Sequence, residues 1–383
     1  MAKLSIGIVG LPNVGKSTLF NALTKNSVPA ENYPFCTIDP SVGIVEVPDD
    51  RLHALATMSQ TRRTVPAVVE FVDIAGLVKG ASEGEGLGNK FLSHIRETDA
   101  ILEIVRIFED DKIMHVADKV DPLFDIEVIN FELMQADLET CKNRKAGIQK
   151  EVKRNIDGDK RFVALDALID NIIQNLEAGK LVSQMYEYDN TGKVSNFTEE
   201  QIKEIKMLNL ITAKKFLYGL NKKSGGNNLD EANNGEGDER YKNLLKFLKE
   251  NNFDYCIIDA KIEDELKDFE GEEKEMLRTE MGGHDDGIKT LITSAYKTLD
   301  LESYFTTGVE ETRAWTIAKG STAPVAGQAI HTDFKERFIR AEVVHCSDLL
   351  ACGSFAEAKS KGKLRTEGKE YIVKDGDVME FKV

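Results

Sequence analysis

The nine residues from Gly10 to Thr18 read G-L-P-N-V-G-K-S-T and satisfy G-x-x-x-x-G-K-[ST] at Gly10, Gly15, Lys16 and Ser17. A short apolar run, Leu4 to Val9, precedes them and reads as a buried strand. Leu19-Phe20-Asn21-Ala22-Leu23 follows and reads as the first turns of a helix. Strand, glycine-bearing turn and helix in that order leave few options. The glycines let the backbone bend until consecutive N–H groups converge on an anion, and the helix adds the positive end of its dipole. Lys16 supplies a mobile charge for the outer phosphates and Ser17 a hydroxyl for Mg2+. The residues expected around the phosphates are Pro12, Asn13, Val14, Gly15, Lys16, Ser17 and Thr18. This is a phosphate-binding loop, and it predicts an α/β fold with a mixed, mainly parallel sheet.

The next signals fall where a nucleotide switch needs them. Val68 to Val72 reads as a strand ending in Asp73-Ile74-Ala75-Gly76, about 55 residues after the loop. A carboxylate there, Asp73, can hold Mg2+ through water, and the Gly76 N–H can reach the γ-phosphate. Between the two motifs lies the proline-bounded loop Tyr33 to Pro40, whose Thr37 stands where such a switch takes a second Mg2+ ligand. Four glycines among the nine residues 80–88 suggest a segment that orders around bound ligand. Leu77, after Gly76, cannot orient water as a glutamine does, so slow turnover and a catalytic group from elsewhere are expected. Ala100 to Phe108 reads as a core strand, with His115 shortly beyond it. Phe216 to Leu220 reads as another, ending in Asn221-Lys222-Lys223-Ser224. A guanine site reads N-K-x-D here, its Asp accepting from the base. With Ser224 in that place the carboxylate is lost, so ATP is favoured, with Asn221 and Lys222 bordering the base.

Longer motifs carry a resemblance. G-x-P-N-V-G-K-S, then T-I-D-P, then D-I-A-G-L-V-x-G-A-S-x-G-E-G-L-G-N-x-F-L, together with Ile95 to Ala100, Asp125 to Asn130 and Ala136-Asp137-Leu138, resemble the YchF family of Obg-related P-loop NTPases. The resemblance covers nearly the whole chain. It implies ATP preference, although members carry N-x-x-E where this chain has Ser224. It implies a loop over the base at Asp259, Ala260 and Lys261, with Asp259 in place of the family's Ser, so that an acidic group near the base could bond an exocyclic amine. It implies that His115 orients or activates water, that Asn13 helps place K+, and that the partner is the ribosome or its RNA. From about Ser303 it implies a TGS domain, a small β-grasp-like module, which the short alternating strands and G-D turns support independently.

The expected organisation is a P-loop NTPase domain over 1–130 and 207–302, an inserted α-helical hairpin over 131–206 and the C-terminal domain over 303–383. Apolar residues at three- and four-residue spacing (Leu133, Leu138, Ile148, Val152, then Leu165, Leu168, Ile169, Ile172) carry the hairpin, broken at Asn155 to Asp159. A net charge of −16 argues against DNA or non-specific nucleic-acid binding by the molecule as a whole. Residues 140–161, with eight basic and three acidic side chains, and the nearly neutral residues 301–383, with 12 basic and 13 acidic, are the exceptions. The cluster Lys359, Lys361, Lys363, Arg365 is a second candidate phosphate contact. No apolar run approaches the roughly 20 residues that span a bilayer. Five scattered cysteines, none in C-x-x-C, and an N-terminus unlike a secretory signal fit a cytoplasmic protein. Three other functions remain compatible with the residues: a GTP-hydrolysing switch, a small-molecule kinase, and a non-enzymatic RNA-binding adaptor with structural nucleotide.

Overall fold

The computed structural model describes residues 4–25, 41–74, 87–113, 119–154, 160–188, 194–283 and 285–383. The chain divides into two compact units, residues 5–22 with 72–287, and residues 1–4 and 23–71 with 288–383.

The first unit is built on parallel strands β1 (Ser5–Val9), β2 (Ala100–Arg106), β3 (Lys215–Asn221) and β4 (Asp254–Ile258), hydrogen-bonded in that order. Gly7 faces Ile101, Ile101 faces Phe216, and Tyr218 faces Tyr255. β1 and β2 are buried along their whole lengths. That is why they read as largely apolar runs, in which Glu103 and Arg106 are the buried charges of β2: a parallel sheet is covered on both faces. Because the four strands run the same way, the loops after Val9, Arg106, Asn221 and Ile258 gather at one edge. The Ile74 N–H donates to the Ile8 carbonyl at 3.4 Å, which sets Asp73 beside the end of β1.

Helix α1 (Lys16–Lys25) leaves the phosphate loop, and α2 (Leu87–Glu97) leads into β2. The hairpin consists of α3 (Pro122–Arg154) and α4 (Lys160–Glu177). Its first arm begins nine residues before the expected position 131. Pro122 suits a first helical turn, where its missing N–H is no loss, and the Asp121 carboxylate accepts from the Phe124 N–H at 3.4 Å. The arms are antiparallel: Lys142 pairs with Glu177 at 3.2 Å, and Lys145 pairs with Asp170. Asp137 fastens the neck. Fully buried, it accepts from the Ile211 N–H (3.0 Å), the Thr212 N–H (2.7 Å) and the Thr212 hydroxyl (2.8 Å). Burial pushes its carboxyl up, and those hydrogen bonds and Arg96 oppose the shift. Helices α5 (Glu239–Glu250), α6 (Ala260–Glu265) and α7 (Gly271–Glu280) complete the parts that matter for the site.

The second unit carries a mixed sheet of β5 (Leu301–Thr307), β6 (Glu311–Ala318), β7 (Arg340–His345), β8 (Arg365–Glu367) and β9 (Asp377–Lys382). Its order is β8-β7-β9-β5-β6, with β5 and β9 parallel. Tyr304, Ile317, Phe338, Val343 and Met379 form its core, and the Tyr304 hydroxyl donates to the Ala326 carbonyl at 2.9 Å. A further strand, Arg63–Val65, runs parallel to β6 at the sheet's edge, with Thr64 opposite Thr312. The residues before it are fixed to the same unit. Arg51 bonds Asp375 at 2.6 Å and lies over the Phe305 ring, and the Thr61 hydroxyl donates to the Gly308 carbonyl at 2.6 Å. A three-residue strand has too little periodicity to be read from sequence.

Candidate nucleotide site

The phosphate loop takes its shape from backbone conformations that disfavour side chains. Gly10, Asn13 and Gly15 have φ of 150°, 63° and 105°. A Cβ on Gly10 would sit 2.6 Å from the Ile104 carbonyl oxygen, and one on Gly15 would collide with the Asn221 side-chain amide. Pro12 and Asn13 are exposed while Val14 is buried, so the loop is pinned from beneath and open above. The Leu19 N–H donates to the Gly15 carbonyl at 2.9 Å, closing the first turn of α1 and leaving the amides before it for an anion.

Lys16 is the buried cation of the site. Its ammonium donates to the Leu11 carbonyl at 2.7 Å, and burial lowers its pKa to about 8, against the pull of the Asp73 charge. Asp73 is shifted the other way: burial raises its carboxyl and Lys16 lowers it. Ser17, exposed on the first turn of α1, and Asp73 are hard oxygen donors, a set whose chemistry suits Mg2+. Thr37, Gly76 and His115, expected as second metal ligand, γ-phosphate contact and catalytic group, lie outside the described residues.

At the base end the side chains do the fastening. Asn221, buried at the end of β3, donates from Nδ2 to the Val14 carbonyl (2.7 Å) and accepts on Oδ1 from the Ala260 N–H (3.0 Å). One amide thus joins the phosphate loop to the segment after β4. Asp259 was expected as part of a loop over the base. It is the N-cap of α6: Oδ1 accepts from the Lys261 (3.2 Å) and Ile262 (3.1 Å) N–H groups, and Oδ2 from the Ser224 N–H (2.6 Å). Its carboxylate ties the base-reading turn to α6. Lys222 donates its backbone N–H to the Ile258 carbonyl (2.8 Å), and its ammonium pairs with Glu231 at 2.9 Å. Asp259, Ala260 and Lys261 therefore border the base-reading turn as the first residues of a helix.

Behind α6 lies a buried ion pair that no sequence pattern announces. Glu263 and Arg278 are 3% and 1% exposed and bond one another. Glu263 also accepts from the Gly287 N–H at 3.0 Å, and Arg278 donates to the Asp285 carbonyl at 3.0 Å. The pair clasps α6, α7 and the turn before Gly287 into one block. Equally unannounced is Arg106, 1% exposed at the end of β2. Its guanidinium donates to the carbonyls of Phe108 (2.9 Å), Ile113 (3.1 Å) and Asp110 (3.2 Å) and lies over the Phe108 ring.

Two family models match the chain: MMR_HSR1, described as 50S ribosome-binding GTPase, over residues 5–135, and YchF-GTPase_C, described as protein of unknown function (DUF933), over residues 301–383. Relatives named ribosome-binding ATPase YchF include one from Bacillus subtilis, 48% identical with 99% of each chain covered. Another, from Escherichia coli O157:H7, is 45% identical over 98% of each. Among solved structures, the Schizosaccharomyces pombe YchF GTPase superposes with a TM-score of 0.84 at 35% identity, covering 99% of this chain and 98% of that one. With the phosphate loop, Asp73 and the Asn221 turn brought to one sheet edge, and with relatives of this identity along its whole length, the chain belongs to the YchF family of P-loop GTPase-fold proteins.

Proposed function

We propose that this protein is an ATP-binding, slowly ATP-hydrolysing switch that works with Mg2+ on the ribosome. The observation that carries the choice of base is the environment of Ser224. Guanine selection needs a carboxylate that accepts from the ring N–H and the exocyclic amine together. Ser224 has none, and the carboxylate that its backbone N–H meets, Asp259, already accepts three backbone N–H groups. A pocket without a paired polar group discriminates weakly against the base that lacks it, so guanine gains no advantage here.

In this reading the amides between Asn13 and Thr18 hold the β- and γ-phosphates and Lys16 neutralises their outer oxygens. Ser17 and Asp73, with Thr37 in the triphosphate state, would hold Mg2+, which draws negative charge from the transferring phosphoryl group. Asn13 helps place K+, and His115 orients the attacking water, since Leu77 cannot. Turnover is slow without a glutamine or an arginine finger. The ribosome enters through the names of the relatives and through the basic arm of α3, where Arg144 and Lys150 stand exposed while Lys142 and Lys145 are engaged by acids of α4. On the C-terminal unit, Lys361 pairs with Glu357 and Lys363 with Asp348, which favours α3 as the RNA-facing element.

The test is the affinity of nucleotide-free protein for fluorescent ATP and GTP analogues with Mg2+ and K+, followed by phosphate release. Tighter ATP binding with release of free phosphate supports the reading. Preference for GTP, or tight binding with no turnover in the wild type, overturns the base assignment or the hydrolytic one respectively. Co-sedimentation with ribosomes that depends on nucleotide supports the switch, and co-sedimentation indifferent to it favours an adaptor.

A further inference from the structure

The segment after β2 and the base-reading turn after β3 are stitched together far more closely than neighbouring loops of a sheet need be. The Ile107 N–H donates to the Asn221 carbonyl (2.9 Å), and the Leu229 N–H to the Ile107 carbonyl (2.8 Å). Phe108 and Glu109 form an antiparallel ladder with Asn228 and Asn227. The Asn227 side-chain amide donates to Glu109 at 2.7 Å, and Arg240 of α5 bonds Glu109 at 2.9 Å and the Val120 carbonyl at 2.7 Å. The ion pair Lys223 Nζ to Asp110 joins the base-reading turn directly to the 107–113 segment, between groups 35% and 12% exposed.

Lys223 lies between Lys222 and Ser224, within the turn expected to read the base. Its own main chain is held independently: its N–H donates to Asn228 Oδ1 (2.9 Å) and its carbonyl accepts from Asn228 Nδ2 (2.8 Å). Asp110 is likewise anchored, since its carboxylate also accepts from the Lys112 N–H at 2.9 Å and its carbonyl accepts from Arg106. The ion pair therefore does not build either loop. It couples two loops already built.

We propose that Lys223 and Asp110 are positioning residues that make hydrolysis depend on how the base is seated, by locking the base-reading turn to the 107–113 segment. The inference rests on the nucleotide-hydrolysing reading above. Base discrimination would then appear in kcat as well as in binding, because a misplaced base shifts the turn and, through the pair, the chain beyond β2.

The experiment uses the full chain with Lys223→Met, Asp110→Asn and the double variant, measuring ATP and GTP hydrolysis and the affinity for a fluorescent ATP analogue. Each single variant is expected to lower kcat for ATP about fivefold, with affinity changed less than about twofold and the double no worse than either single. The ATP-to-GTP ratio of kcat should move toward one, and Lys223→Arg, which keeps the charge, should restore it. Unchanged kcat in both single variants, losses that multiply in the double, or parallel falls in kcat, affinity and Tm would each overturn the proposal. A wild type that binds nucleotide without turning it over would overturn the hydrolytic reading itself, and with it this one, before any variant is made.

Discussion

The two ends of the nucleotide site hold their shapes by different means. At the phosphate end the loop is shaped by backbone: positive φ at Gly10, Asn13 and Gly15, and a first helical turn closed by the Leu19 N–H on the Gly15 carbonyl. At the base end the same kind of precision comes from side chains, with Asn221, Asp259 and the Glu263–Arg278 pair each satisfying several polar groups at once. Backbone geometry is local, so it leaves a motif in the sequence. Side-chain fastening joins residues tens of positions apart, as Asn221 joins Val14 and Ala260, and leaves no contiguous motif. The difference also bears on what damage should do: lesions at the base end should cost folding stability, and lesions at the phosphate end should cost affinity.

The sharpest way to break this contrast is Arg278→Met. It leaves Glu263 charged and buried without its partner, and about 3–5 kcal/mol of stability should be lost. Thermal or urea unfolding checks this, and a loss below ~1 kcal/mol would mean that the clasp is dispensable. Next in size is Gly15→Ala. A Cβ there meets the Asn221 amide at a φ that L-residues rarely adopt, so nucleotide affinity should fall by about 100-fold or more. Titration with a fluorescent analogue measures it. Third, Asp259→Ala removes a helix cap and the tie to Ser224 together. Stability should drop by about 1–2 kcal/mol while the phosphate-end affinity, read with pyrophosphate as ligand, stays within about twofold.

The fourth prediction concerns pH. Free Lys16 is lowered to about 8, and it binds phosphate only when charged. A bound triphosphate favours the charged form, so affinity is full below pH 8 and falls as pH rises through that value. The loss should be up to about tenfold between pH 8 and 9 at constant ionic strength, and absent in Lys16→Met. The smallest effect lies under the sheet, where Glu103 is 1% exposed and its Oε2 finds no hydrogen-bond partner among the described residues. Burial first, and the Asp125 charge second, push its carboxyl well above the usual range. A raised folded-state pKa gives stability that is present below the unfolded value and lost as pH climbs toward the folded one. Glu103→Gln should therefore stabilise by about 1 kcal/mol at pH 8 and by less at pH 5, as Tm measured at the two pH values will report.

Much of the fold was legible because its signals are short-range. The buried parallel strands read as apolar runs, the phosphate loop as a contiguous motif, and the hairpin as a three- and four-residue spacing. The expected boundary rested on the apolar spacing that begins at Leu133, and α3 starts nine residues before that boundary, at Pro122, where Asp121 accepts from the Phe124 N–H. Asp259 was expected near the base through the resemblance of its segment to the family's loop over the base. Its position before Ala260-Lys261-Ile262 is also an N-cap signature, and in the folded chain the two N–H groups of α6 and that of Ser224 occupy it. Arg106, the Lys223–Asp110 pair and the Glu263–Arg278 pair left no sequence signal, since nothing in the residues around a lone charge says which distant charge it will meet.

By itself the sequence determined the phosphate chemistry: a glycine-shaped loop, Lys16, Ser17 and the acid at the end of a neighbouring strand are dictated by local conformation and spacing. Only the tertiary structure decided how the base end is braced and that Arg63–Val65 joins the C-terminal sheet. Those outcomes depend on which distant groups are desolvated together, and a buried polar group takes whatever partner the packing brings within hydrogen-bond reach.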